Sequence, residues 1–176
     1  MTMRDVVADL TALRIREYLA DSPIGSSPLP SLRPPATPEQ IAALAERAAQ
    51  PLEPRYEEFL LLSDGMEGFY LNLSVLGCSD WFDRPSSRAG RALALLRVVD
   101  DAEFLQDVGL PASSSLFPVA VTPEGDQAIF LVDSKGAAPE RFWWTGGGDS
   151  SFFGDFADLL RWATDNRSYE PRESVD

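Results

Sequence analysis

Few residues in this chain could do chemistry. Among its 176 residues there is no histidine and a single cysteine, Cys78. Without histidine there is no Ser-His-Asp or Cys-His catalysis, no HExxH metal site and no imidazole ligand. Cys78 has no second cysteine for a disulfide or a zinc site, so it reads as buried filler rather than a nucleophile. Such thiol usage suits a reducing cytoplasm. Gly146-Gly-Gly148 invites a phosphate-loop reading, but no Lys-Ser or Lys-Thr follows, and a flexible hairpin loop accounts for it. Asp80, Asp83, Asp100 and Asp101 are acids of the kind that chelate Mg²⁺ or pair as acid and base. Nothing in their spacing fixes a geometry, and caps and solvated loops explain them. The sequence therefore predicts no catalytic residue, no metal and no cofactor: a protein that is not an enzyme.

The formal net charge is −13. Such a field repels nucleic acid and anionic membranes. The surplus is spread along the chain: residues 36–70 carry seven acids against two arginines. Solubility and association with a cationic partner both explain such a surplus. No apolar run approaches the roughly 20 residues needed to span a bilayer. The opening MTMRDVVADL mixes acids with apolar residues, unlike a signal peptide.

The elements that would position these residues read as follows. Thr2 and Asp5 can cap a helix reaching about Ala20, with Val6, Leu10 and Leu13 on one face. Residues 22–35 form a Pro/Ser-rich connector, which lets that helix pack back or leaves it mobile. Thr37, Pro38 and Gln40 open a second helix with Ile41, Leu44, Ala45 and Ala48 on one face. Pro51 stops it, Pro54 opens a third, and Tyr56, Phe59 and Leu60 form its apolar stripe, with Asp64 and Gly65 as its end. Residues 69–75 alternate as one half-buried strand. Residues 88–99 are ambiguous between helix and strand, and Asp100 caps a helix over 101–108. Strands are expected at 116–122, 127–133 and 140–145, with Pro123–Asp126 as a tight turn. Phe152 to about Asn166 reads as a closing helix, followed by a frayed polar tail. Adjacent Trp143 and Trp144 point to opposite faces. One of them either packs under the closing helix or lies exposed. Helices first and antiparallel strands after indicate an α+β fold.

The stretch PEQIAALAERAAQPLEPRYEEFLLLSDG resembles the signature of the SUKH superfamily, through Ile41, Leu52, Pro54, Tyr56, Phe59, Leu60 and Gly65. Glu53 splits the usual Leu-Pro pair. The run LFPVAVTPEGDQAIFLVD is similar to the family's second strand block at Phe117-Pro118, Gly125-Asp126 and Asp133. SFFGDFADLLRW resembles its closing helix at Ser151, Phe152, Phe156 and Leu159. The resemblance covers Pro35 to Trp162. The first 34 residues fall outside it. The expected division of this single-domain chain is an N-terminal helix and connector over 1–34, a SUKH-like domain over 35–166 with a helical hairpin on a mainly antiparallel sheet, and a polar tail over 167–176. The resemblance implies binding rather than catalysis. Many bacterial members are immunity proteins that neutralise a toxin, often a nuclease, encoded beside them. Fungal relatives regulate cell-wall assembly, which implies the alternative of a regulatory or scaffold domain with an endogenous partner.

On this reading the partner is a basic toxin domain, with no nucleic acid or membrane involved. Glu53, Glu57 and Asp64, four and seven apart, would align on one side of a helix as an acidic stripe. Asp80, Trp81, Phe82 and Asp83 would add a second contact, aromatics as anchors and acids as steering groups. Trp81 and Phe82 read equally as a loop plug over the sheet. The narrow apolar face of the first helix predicts that deleting residues 1–30 costs little stability.

Overall fold

A computed structural model describes residues 1–165, 167 and 169–175. Asn166, Ser168 and Asp176, which the expected closing helix and tail reach, lie outside the described residues. The fold is α+β. Among the described residues seven antiparallel strands lie in chain order: β1 (Ser31–Leu32), β2 (Met66–Tyr70), β3 (Leu73–Val75), β4 (Ser115–Val121), β5 (Gln127–Asp133), β6 (Phe142–Gly146) and β7 (Asp149–Phe153). The helices are α1 (Met3–Ala20), α2 (Pro38–Ala48), α3 (Pro54–Leu60), α4 (Ser87–Val99), α5 (Ala102–Asp107) and α6 (Phe156–Thr164).

Local hydrogen bonds start the helices. Thr2 with Asp5, and Thr37 with Gln40, make reciprocal capping boxes that satisfy otherwise free N–H groups. Asp101 caps α5, one residue later than expected, by accepting from Glu103 and Phe104. Residues 88–99 resolve as α4, capped by Ser86. In the sheet, Ala128 to Val132 of β5 are all buried, which requires cover on both faces. One face carries Phe142 and Trp144, which meet Phe156 and Trp162 of α6. Trp143 points the other way, to Phe104 of α5, and stacks on its cross-strand partner Phe152 at 5.9 Å. Both tryptophans are thus packed, Trp144 beneath the closing helix. Pro118 has no N–H for a central ladder, and the β4–β5 register shifts between Pro118 and Ala120.

Three expectations are corrected. Residues 69–75 are not one strand: β2 and β3 form a hairpin turning at Leu71 and Asn72. Leu71 takes a left-handed φ of 49° and is exposed, though alternation assigned it to the core. The closing helix starts later, because Phe152 and Phe153 belong to β7. Gly147 and Gly148, both with positive φ, make the two-residue β6–β7 turn.

The third correction concerns both ends of the chain. Met3, Val6, Val7 and Leu10 are buried, and α1 packs on α3, α6 and β2. Arg14 donates from Nε to the Phe69 carbonyl at 2.8 Å and from Nη2 to the Ala163 carbonyl. The connector contributes β1, paired with β2. At the other end, Phe152 N–H donates to the Arg172 carbonyl and Val175 N–H to the Val108 carbonyl. Residues 1–34 and the described part of the tail therefore belong to the domain. Leu10→Ala should lower the unfolding free energy by about 2–5 kcal/mol, and deletion of residues 1–30 should abolish cooperative melting. A truncated chain that melts within a few degrees of the full chain would show α1 to be dispensable.

Candidate functional site

The acids expected on a surface stripe divide into internal and external ones. Glu53 is 4% exposed and is the N-cap of α3. Its carboxylate accepts from the N–H groups of Arg55 at 3.0 Å, Tyr56 at 3.1 Å and Phe156 at 3.1 Å. Phe156 opens α6, so one carboxylate serves the first turns of two helices. The stripe requires helix from 53 to 64, but α3 ends at Leu60. Asp64 instead lies buried in the following turn, where its carboxylate accepts from the N–H groups of Cys78 and Ser79. Glu57, on α3, is half-buried.

Asp80 is also internal. It accepts from Gly77 N–H at 2.9 Å, Ser86 Oγ at 2.7 Å and Arg33 Nη1 at 2.7 Å. The same Arg33 nitrogen reaches the Asp64 carbonyl and Ser79 Oγ. Together these bonds tie the connector, the end of α3 and the 3₁₀ turn Cys78–Asp80 into one knot. Gly77 is required there, because a Cβ would fall 2.3 Å from the Asp64 carbonyl oxygen. Trp81 is buried too, its ring 4.8 Å from Phe117 and capped by the Arg47 guanidinium at 5.3 Å. It plugs the loop onto the sheet. Phe82 and Asp83 alone of that loop quartet remain exposed.

Burial, and then the neighbouring Asp64 carboxylate, push the Cys78 thiol up to about 12. The thiol stays protonated at neutral pH, which makes it a poor nucleophile. Burial likewise raises Tyr56, whose hydroxyl donates to the Leu76 carbonyl at 2.7 Å. Among the described residues no group of three or more acid or thiol side chains converges as metal ligands do.

The sequence missed a different site. A cavity of about 610 Å³ opens beside Tyr70 of β2, Trp144 of β6 and Trp162 of α6. Tyr70 lies 5.4 Å from Trp144 and 5.0 Å from Trp162, and the two indoles meet edge-on at 5.2 Å. Trp144 Nε1 donates to Gln127 Oε1 at 3.1 Å, which fixes the amide at the cavity wall. The lining also includes Leu71, Ser150, Ser151 and Glu173. Such a wall offers π faces with serine hydroxyls and an amide among them. Its sequence signal is one large aromatic on each of three elements, Tyr70, Trp144 and Trp162. No single element carries that signal.

No family model matches the chain, and no curated protein is similar to it. No helix among the described residues is long and apolar enough to cross a membrane.

Two outcomes follow from this arrangement. Glu53→Ala strands three N–H groups and should cost about 2–4 kcal/mol. Glu57→Ala should stay within about 0.5 kcal/mol. Equal effects in denaturant melts would remove Glu53 from its double capping role. Cys78 predicts a pH dependence. Below the ordinary thiol value of 9.0 both folded and unfolded thiols hold their protons. As pH rises from there towards 12 the unfolded chain releases its proton first, so stability is lost. Cys78→Ala should flatten the fall in melting midpoint between about pH 8 and pH 10. An unchanged slope would assign it elsewhere.

Proposed function

We propose that this chain is a SUKH-type immunity protein that binds a basic toxin domain in the cytoplasm and blocks it by occlusion. The observation that carries the reading is the placement of its acids. Among the described side chains only Glu53, Asp64 and Asp80 are buried acids, so the rest of the surplus faces solvent. A surface of that sign steers a cationic partner and discourages nucleic acid. The family reading rests on the sequence motifs. Leu52, Tyr56, Phe59, Leu60, Phe117, Phe156 and Leu159 are core residues, which is compatible with it, while Ser151 and Phe152 of the closing-helix motif lie in β7.

The contact surface proposed here is narrower than the one expected from spacing. Glu53, Asp64, Asp80 and Trp81 are committed to the fold. Glu57, Phe82 and Asp83 remain to meet a partner, Phe82 as an apolar anchor and the acids as steering groups. A nuclease grips its anionic substrate with cations, and an acidic protein seated on those cations excludes the substrate.

The test is co-expression with the toxin domain encoded beside this gene, followed by binding kinetics. Cells should survive only with the inhibitor present. Association should slow as salt rises while dissociation changes less. Glu57→Lys with Asp83→Lys should slow association without lowering the melting temperature. Survival independent of this protein, or no complex at low salt, would reject the reading.

A further inference from the structure

The aromatic groove has features that the core does not explain. Tyr70 and Trp162 keep part of their rings accessible along a cavity of about 610 Å³. A second cavity of about 490 Å³ shares Tyr70, Leu71 and Trp162, so the wall continues past the first opening. At its rim Leu71 is 65% exposed and holds a φ of 49°. Glycine or asparagine would suit that backbone better, and an exposed leucine gains no packing from it. Glu173 lies in the cavity lining, where its backbone carbonyl accepts from Ser150 Oγ at 2.8 Å, and its exposed side chain is in no ion pair among the described residues.

We propose that this groove receives an arginine side chain from a protein partner. The guanidinium would stack on Trp162, since Arg14 already covers the Tyr70 ring, and pair with Glu173, and its aliphatic stem would lie against Leu71. A planar, weakly hydrated cation fits this combination of π face and carboxylate better than a compact ammonium does. The fold already uses the same contact internally. Arg14 lies 5.2 Å over the Tyr70 ring and Arg47 lies 5.3 Å over Trp81. Arg14 is held by the Phe69 and Ala163 carbonyls and by Glu17, so it is not available to neutralise Glu173. Charge complementarity points the same way, since a chain of net charge −13 favours a cationic occupant. The proposal rests on the functional reading above only in taking the partner to be basic.

The experiment uses the full ¹⁵N-labelled chain and follows its tryptophan indole N–H signals. The probe is N-acetyl-arginine amide, with N-acetyl-citrulline amide as its neutral counterpart and methyl glucoside as a sugar control. Arginine amide should shift the Trp144 and Trp162 signals saturably and leave Trp81, packed on Phe117, unmoved. Glu173→Gln should weaken this binding roughly three- to tenfold. Leu71→Asn should weaken it without lowering the melting temperature. No saturable shift, equal shifts with citrulline or glucoside, or full affinity in Glu173→Gln would overturn the proposal. Arginine binding with no toxin complex would keep the groove and reject immunity. A toxin complex indifferent to Glu173→Gln and Leu71→Asn would keep immunity and reject the groove.

Discussion

The carboxylate of Glu53 is the contact on which the rest of the helical layer depends. It is withdrawn from water, an arrangement that is costly unless every oxygen is satisfied. Here it receives three backbone N–H groups from the first turns of α3 and α6. The positive ends of both helices converge on one negative charge. Neither helix is long enough to be stable alone, since α3 has seven residues and α6 nine. Fixing their starts together brings Tyr56 and Phe59 within 5.0 and 5.1 Å of Phe156, and Phe156 within 5.5 Å of Phe142 on the sheet. The aromatic core is assembled around that shared cap.

A second buried knot performs the same service at the other end of α3. Asp64 and Asp80 hold the backbone of the 3₁₀ turn, and Arg33 joins them to the connector that supplies the edge strand. The acids of this protein thus do two kinds of work. A few organise backbone N–H groups in the interior, where long-range electrostatics is secondary to local hydrogen bonding. The remainder create the negative surface. Net charge describes the second group and is silent about the first.

That division shapes the functional reading. A solvent-facing negative field gives long-range attraction for a basic partner, while specificity needs a shaped contact. The groove of Tyr70, Trp144 and Trp162 is the contact proposed for that role. It exists because β2, β6 and α6 each bring one large ring to the same place, although β2 and β6 are four strands apart in the sheet. The pairing of β1 with β2 and the packing of α1 hold Tyr70 in place, so the N-terminal segment supports the groove as well as the core.

What the sequence determined by itself was local. The capping boxes at Thr2 and Thr37, the span of β5 and the turn at Pro123–Asp126 follow from bonds within four residues or from one clear period. The α+β class follows from the order of those pieces. Tertiary structure decided the remainder. Phe152 and Phe156 are four apart and share a helical face on paper, yet Phe152 pairs with Trp143 and belongs to β7. Leu71 continues an alternating pattern, yet the pairing of Tyr70 with Leu73 places it in a turn. Most of the expected partner-binding acids went inside for the same reason. The N–H group of Phe156 that Glu53 satisfies lies 103 residues away, and those that Asp64 satisfies lie 14 and 15 away. A carboxylate's role is set by which donors folding brings to it, and spacing along the chain does not encode donors that arrive from another element.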